Sequence, residues 1–274
     1  MTIGGSTRVA AVLGHPVEHS RSPALHNAAY RALGIDAVYV ALDVEPAAFD
    51  AALAGVAALG FLGVNVTVPH KAAALAACDE VDDVARLVGA VNTVVVRDGR
   101  LAGSNTDVFG FRRSLEEGLG AAPARAVVLG AGGAARAAVV GLAELGASVR
   151  VVARDHERAR PLLGLGAYEV APWTAVALAS ALEGCDLVVD ATPAGLSPAA
   201  EAAVPAPIPL EVLRAGAAVA TLVYHRDTAL LAAARARGLR TMDGSGMLIH
   251  QAARAFTLMT GREAPLEVMR AAFR

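Results

Sequence analysis

Lysine is almost missing from this chain: of its 24 basic residues only Lys71 is not an arginine. Aromatic residues are scarce as well, 4% within a 55% hydrophobic total. That shortage excludes an aromatic-rich β-sandwich and leaves an interior of Ala, Val and Leu, as in alternating strands and helices. There is no basic block and the formal net charge is −2, so clustered cations that could displace counterions from a nucleic acid or an anionic membrane are lacking. The longest apolar run, AALAGVAALGFLGV, is too short and too rich in glycine to span a bilayer, and the amino-terminal stretch lacks the apolar core of a signal peptide. Cys78 and Cys185 stand far apart and form neither a metal pair nor a disulfide framework. These absences point to a soluble cytoplasmic protein that works on small molecules, with no nucleic-acid or membrane partner.

What is present alternates. Strand-like runs (RVAAVLG, AVYVAL, GVNVTV, RAVVLG, SVRVVA, DLVVDA and AAVATLVY) are separated by Ala-rich helical stretches. Continuous apolar strands with helices between them imply mostly parallel sheet covered on both faces, and 274 residues favour two domains over one. The expected fold class is α/β. The Pro-rich stretch PAAEAAVPAPIPLE reads as a loop. One segment breaks the alternation: AVNTVVVRDGRLAGSNTDVFGF is a hairpin with Asp98-Gly99 as its tight turn. A turn centred there sets Asn92 opposite Asn105 at the open end, with Asp107 beside them. A domain boundary is expected near residue 106.

The segment RAVVLGAGGAARAAVVGLAELGASVRVVARDHER reads as strand, glycine turn, helix, strand. Gly130 makes the turn, Gly132 lets the backbone approach a pyrophosphate, and Ala135 fills the small-residue position where helix packs on strand. This is a G-x-G-x-x-A form of the dinucleotide fingerprint. The helix start that follows presents backbone N–H groups to phosphates. At the end of the second strand an acidic residue would bind a ribose 2′-hydroxyl, whereas ARDHERAR offers Arg154, Arg158 and Arg160, suited to a 2′-phosphate. NADP is favoured over NAD on that ground. Asp155 either opposes the phosphate or caps the next helix.

In GVNVTVPHK, alternation puts Val64, Val66 and Val68 on one face and Asn65 and Thr67 on the other. Pro69 is expected to end the ladder and Lys71 to start the helix beyond. Polar side chains at the carboxyl end of a buried parallel strand stand where open α/β sheets bind ligands. A lysine there has a chemical reason: an ammonium can give up its proton and take it back, and a guanidinium cannot. A general acid/base needs that reversibility, and Asp107 from the hairpin end is the expected partner. In HSRSPALHNAAYRALG, Ser22 is expected as N-cap, Pro23 in the first turn and Gly34 as the stop. Ser20 and Ser22 then either offer hydroxyls to a carboxylate or merely cap. His15, His19 and His26 do not read as metal ligands, because Pro16 and the serine loop break helical i,i+4 spacing.

Taken together, HSRSP, NVTVPHK, AVNT, GSNTD, GAGGAAR, ATPAGL and DGSGMLIHQAARAF, in this order, resemble the shikimate dehydrogenase family over nearly the whole chain. The resemblance implies an α/β substrate domain with a mostly parallel sheet, residues 1–106, completed by the carboxyl-terminal helices of residues 245–274. It places a Rossmann domain in residues 107–244. It implies reversible reduction of 3-dehydroshikimate to shikimate with NADPH, on the route to chorismate and aromatic amino acids. Lys71 and Asp107 would form the catalytic pair. Ser20 and Ser22 would bind the substrate carboxylate with Tyr224 nearby, and Asn65, Thr67, Asn92, Asp107 and Gln251 the ring hydroxyls. Gly130, Ala131, Gly132, Gly133 and Ala134 would hold the pyrophosphate, and Ala153, Arg154, Asp155 and Arg158 the adenosine phosphate. Asp83, Thr192, Leu222, Gly244 and Met247 match positions that approach the cofactor. The chain departs from the family's usual pattern with ARD in place of NRT, and with Asp190 in DAT in place of Asn. Two alternatives are kept: a quinate/shikimate dehydrogenase that also uses NAD, and a nucleotide-sensing module without turnover. A homodimer is left open.

Overall fold

The computed structural model describes residues 3–202 and 204–273. Its contacts divide the chain into two compact units, Met1–Gly110 with Ile249–Arg274, and Phe111–Leu248. The chain passes from one to the other inside the helices Asp107–Leu119 and Ser245–Thr260, with no linker at either crossing. No helix among the described residues is long and apolar enough to cross a membrane.

The first unit is a six-stranded sheet of β1 (Arg8–Gly14), β2 (Ala37–Asp43), β3 (Gly63–Val66), β4 (Glu80–Val81), β5 (Thr93–Arg97) and β6 (Arg100–Ser104), in the order β2-β1-β3-β5-β6-β4. The strand β1 runs parallel to β2 and β3, and β5 antiparallel to β3 and β6. Asp98 and Gly99 both take positive φ, 50° and 75°, as a two-residue turn matched to the strand twist requires. The resulting register sets Thr93 opposite Ser104 and Arg97 opposite Arg100, and the Asn92 N–H donates to Ser104 O at 3.1 Å. Phe256 of the helix Ser245–Thr260 packs on Tyr30, ring centroids 5.4 Å apart, so the carboxyl-terminal segment completes this unit's core.

Three local expectations are corrected here. The strand β3 ends at Val66, and Val68 is 68% exposed instead of joining Val64 and Val66 in the core. The chain has already turned toward the cis Val68–Pro69 bond, and the His15 N–H donates to Val68 O at 3.0 Å. Ser22 is the first residue of the helix Ser22–Leu33 and not its N-cap, which is Arg21 without a side-chain cap bond. From that position its hydroxyl hydrogen-bonds the Tyr39 phenol, while Ser20 Oγ accepts from the Ser22 N–H at 3.3 Å. The Pro-rich stretch holds a short helix, Pro198–Ala202, begun by Ser197 Oγ accepting from the Ala200 N–H at 3.2 Å.

The second unit contains β7 (Arg125–Leu129), β8 (Ser148–Ala153), β9 (Ala167–Pro172), β10 (Leu187–Asp190), β11 (Ala218–Thr221) and β12 (Arg240–Met242), ordered β12-β11-β10-β7-β8-β9 with every pair parallel. Strand order reverses between β7 and β10, the Rossmann arrangement, whose ligands bind beyond the carboxyl ends at that switch. Val128, Val151 and Val189 enter one buried cluster and Val127, Val152 and Val188 the other. Covering on both faces is why these strands read as unbroken apolar runs.

His26 is fully buried, stacked on Tyr39 at 4.2 Å, and neither ring nitrogen has a hydrogen-bond partner among the described residues. Burial lowers its pKa from 6.5 to about 3. The unfolded chain therefore takes up a proton that the folded protein refuses. Stability is full above pH ~6.5 and is lost as pH falls toward ~3, at about 1.4 kcal/mol per pH unit from this group. His26→Phe is expected to flatten that part of the acid dependence. Thermal unfolding of both proteins between about pH 7 and pH 4 measures it, and parallel curves would contradict the assignment.

Candidate active site

Lys71 opens the helix Lys71–Ala77, and two anchors fix its start. His70 stacks on Phe49 at 4.5 Å with Nε2 2.7 Å from Val44 O, and Lys71 O accepts from the Val91 N–H at 3.0 Å. The side chain reaches the hairpin end: Lys71 Nζ donates to Asp107 Oδ2 at 2.6 Å, with side-chain exposures of 23% and 9%. Asn105 Oδ1 accepts from the Asp107 and Val108 N–H groups at 3.0 and 3.4 Å, which seats Asp107 at the head of its helix.

The second carboxylate oxygen of Asp107 accepts from Asn92 Nδ2 at 2.8 Å. Asn92 is otherwise engaged by Thr106, giving Nδ2 to Thr106 Oγ1 at 3.0 Å and accepting the Thr106 N–H at 2.8 Å. Thr106 Oγ1 lies 3.3 Å from Gln251 Oε1. Asn65 donates through Nδ2 to Asn92 O at 3.2 Å and to Thr93 Oγ1 at 3.0 Å, and its Oδ1 accepts from Tyr39 OH at 2.7 Å. Lys71, Asp107, Asn92, Asn65 and Gln251 thus belong to one network. Both amide hydrogens of Asn65 are spent inside the protein, leaving one lone pair on Oδ1 for anything else.

Thr67 keeps more capacity: its hydroxyl has no hydrogen-bond partner among the described residues, and a Cβ on Gly14 would stand 2.4 Å from its methyl. Ser20 and Ser22 stand at the head of their helix. Tyr224 lies half-buried in the other unit, edge-on to His225 at 5.9 Å. Sequence reading passed over Tyr39, Thr93 and Thr106 as part of this network, and placed Asn105 beside Asn92 and Asp107 at the hairpin end. Thr93 and Thr106 sit inside AVNT and SNTD, where the motif was the available signal, whereas Tyr39 lies in an apolar run without one.

In the second unit Gly130 follows β7 with φ 107°, and its N–H donates to Val152 O at 2.8 Å. Gly132 precedes the helix Gly133–Glu144, and no side chain caps it. A Cβ built on Gly132 or Gly133 would meet nothing within 4 Å, so the space before the helix's N–H groups is open to a ligand. Ala135 is fully buried against the sheet, and Ala131 packs on the same core from the turn. Ala153 ends β8, followed by exposed Arg154. The Asp155 carboxylate caps the helix His156–Ala159, accepting from the Arg158 N–H at 2.9 Å. Among the described residues neither the Arg154 nor the Arg158 guanidinium has an ion-pair partner, whereas Arg160 reaches Glu157 at 3.4 Å. An open glycine turn, an uncapped helix start and two unpaired cations fit a phosphorylated dinucleotide.

Beside the turn, Thr192 Oγ1 donates to Asp190 Oδ1 at 2.7 Å, and a Cβ on Gly130 would come 3.2 Å from Ala191 O. Leu222 and Gly244 are brought together so closely that a Cβ at Gly244 would stand 2.2 Å from Leu222 O, and Met247 packs partly buried on the same unit's core. Asp83 is exposed in the first unit, in the helix Asp83–Val88.

Known proteins resemble this chain along its length. Residues 12–94 match the model of the shikimate dehydrogenase substrate binding domain, residues 244–272 the shikimate 5'-dehydrogenase C-terminal domain, and residues 114–203 the alanine dehydrogenase/PNT C-terminal domain. The shikimate dehydrogenase (NADP(+)) of Moorella thermoacetica is 49% identical, over 97% of this chain and 92% of that protein. The crystal structure of shikimate 5-dehydrogenase from Thermus thermophilus in complex with NADP(H) and shikimate is 40% identical, covers 98% of this chain and 99% of that one, and superposes with a TM-score of 0.86. Quinate dehydrogenase from Corynebacterium glutamicum in complex with NAD is 37% identical over 97% of this chain and 98% of that one, also with a TM-score of 0.86. On this similarity along its whole length, the chain belongs to the shikimate dehydrogenase family.

Proposed function

We propose that this chain catalyses the reversible NADPH-linked reduction of 3-dehydroshikimate to shikimate, the family's step toward chorismate and the aromatic amino acids. The observation that carries the reading is the Lys71–Asp107 contact of 2.6 Å, set among neutral polar side chains. NADPH, when bound, supplies the hydride. Lys71 Nζ gives a proton to the oxygen that becomes the alcohol and takes it back in the reverse direction, while Asp107 Oδ2 holds the ammonium in place. Ser20 and Ser22 receive the substrate carboxylate at the head of the helix Ser22–Leu33. Asn65, Thr67, Asn92, Asp107 and Gln251 face its hydroxyls.

Gly130, Ala131, Gly132, Gly133 and Ala134 hold the pyrophosphate against the helix start. Arg154 and Arg158, following Ala153, hold the 2′-phosphate, and Asp155 serves as a cap. Thr192, Leu222, Gly244 and Met247 complete the cofactor contacts of this unit. A cytoplasmic setting suits the two free cysteines: burial, aided by Asp79 and Asp186, raises both thiols to about 11 and keeps them protonated and unreactive.

Shikimate-dependent reduction of NADP by the purified chain tests the reading, and binding of NADP without turnover would replace it with a sensing module. A second reading is favoured by the similarity to a quinate dehydrogenase with NAD; initial rates with both acids and both nucleotides separate the two. Removing a charge-assisted bond to the 2′-phosphate by Arg154→Ala is expected to raise KM for NADP about 10-fold and to leave KM for NAD nearly unchanged. Equal losses with both nucleotides would show that Arg154 does not read that phosphate.

A further inference from the structure

Thr93 is fully buried at the start of β5, and its hydroxyl stands between two amides, 3.0 Å from Asn65 Nδ2 and 3.1 Å from Asn92 Oδ1. The orientation of each amide is fixed at its far end by a group that can play only one part. Asn65 Nδ2 faces the backbone carbonyl of Asn92 at 3.2 Å, which only accepts. Its Oδ1 meets Tyr39 OH at 2.7 Å, a phenol that burial keeps protonated by pushing its pKa well above the usual range. Asn92 Oδ1 accepts from the backbone N–H of Thr106 at 2.8 Å, and Nδ2 faces the Asp107 carboxylate at 2.8 Å. A hydroxyl has one hydrogen, so Thr93 accepts from Asn65 and donates to Asn92.

Every donor in this chain therefore points the same way, from Tyr39 through Asn65, Thr93 and Asn92 to Asp107 Oδ1. Bonds aligned in series toward a negative charge polarise one another. We infer that Thr93 is a positioning residue of the reaction: its hydroxyl braces Asn92 Oδ1 while Asn92 Nδ2 holds Asp107 Oδ1, so that Asp107 Oδ2 is presented to Lys71. Without the hydroxyl, one Asn65 N–H loses its acceptor and Asn92 Oδ1 loses a donor. Asn92 keeps its orientation through the Thr106 N–H and Asp107, but its Oδ1 is then held by Thr106 alone and its Nδ2 is less polarised toward the carboxylate. The other hydroxyl within reach is Thr106 Oγ1, 3.4 Å from Thr93 Oγ1 and already shared between Asn92 and Gln251.

This inference rests on the proposed reaction, and the test keeps the two apart. Thr93→Val keeps the shape and removes the hydroxyl; Thr93→Ser keeps the hydroxyl and removes the methyl. In the full chain, kcat/KM for shikimate with NADP is expected to fall about 10- to 100-fold in Thr93→Val, the effect of leaving buried polar groups unpaired. Thr93→Ser is expected to stay within about threefold of wild type, and NADP affinity measured by fluorescence titration to be unchanged in both. If Thr93→Val does not fold, Thr93→Ala takes its place beside Thr93→Ser. Wild-type kcat/KM in Thr93→Val, or a loss in Thr93→Ser equal to that of the hydroxyl-free variant, would overturn the inference. Absence of NADP reduction by the wild-type chain would instead overturn the reaction itself.

Discussion

Lys71→Ala is expected to lower kcat for shikimate oxidation by about 10²-fold or more, with a small change in KM. The variant keeps the amide and hydroxyl network around Asp107, because Asn92, Asn65, Thr93 and Thr106 bond one another without the lysine. What it loses is the group proposed to pass a proton at the reacting oxygen. A loss confined to kcat is the pattern of an interaction made in the transition state, whereas a rise in KM alone would assign the lysine to binding. Asp107 is buried and Lys71 only partly exposed, so the carboxylate left without its ammonium is expected to cost about 1–3 kcal/mol of stability. Near-normal turnover in Lys71→Ala would remove the lysine from the mechanism.

Asp107→Asn is expected to lower kcat/KM by about 10²-fold or more, although it changes one oxygen into an NH2 group. The carboxylate accepts through both oxygens, from Asn92 at 2.8 Å and from Lys71 at 2.6 Å. An asparagine has one acceptor oxygen, so it satisfies either Asn92 or Lys71 and turns a donor toward the other. Whichever it chooses, the ammonium or the amide is left facing N–H groups. The helix Asp107–Leu119 keeps its start, because Asn105 accepts from the residue 107 backbone N–H whatever the side chain. The measurement is kcat/KM for shikimate beside thermal unfolding. A loss of activity in protein that still folds is the expected result, with a melting temperature lowered by the buried donor left without an acceptor. Full activity would show that Asp107 neither holds Lys71 nor faces substrate.

The parts of the site that sequence could deliver are those fixed by local geometry. The Asp98-Gly99 turn admits few pairings, so the register that joins Asn92 to Asp107 follows from a dipeptide. Lys71 stands out because every other basic side chain is arginine. The glycine turn after β7 carries its own signal, since Gly130 holds a positive φ and Gly132 faces open space. Asp155 shows the limit: the sequence leaves it as either an opponent of phosphate or a cap, and the 2.9 Å bond from the Arg158 N–H makes it a cap.

What was not legible depends on partners distant in sequence. Nothing in SRSP says that Ser22 will bond Tyr39 instead of capping, because Tyr39 arrives from the next strand. The same holds for Asn65, whose two amide hydrogens go to Asn92 and Thr93 and whose Oδ1 accepts from Tyr39. Among the strands, β9 and β12 lie at the edges of their sheet and β4 at the edge of the other. Edge strands are short or half-exposed, so AYEVAP and RTM lack the continuous apolar run that marks an interior strand. Val68 was misread because alternation says where a strand could continue, not where the chain leaves the sheet.

In the proposed reaction Lys71 moves a proton and does not merely hold a charge. Initial rates of NADP reduction with shikimate, comparing wild type with Lys71→Arg, test it most directly, because arginine keeps the charge and cannot release the proton. Steady reduction by the wild-type chain is expected, with a rate lower by about 10²-fold or more in Lys71→Arg, close to that of Lys71→Ala. A Lys71→Arg rate within about threefold of wild type would contradict it, since a fixed positive charge would then be sufficient.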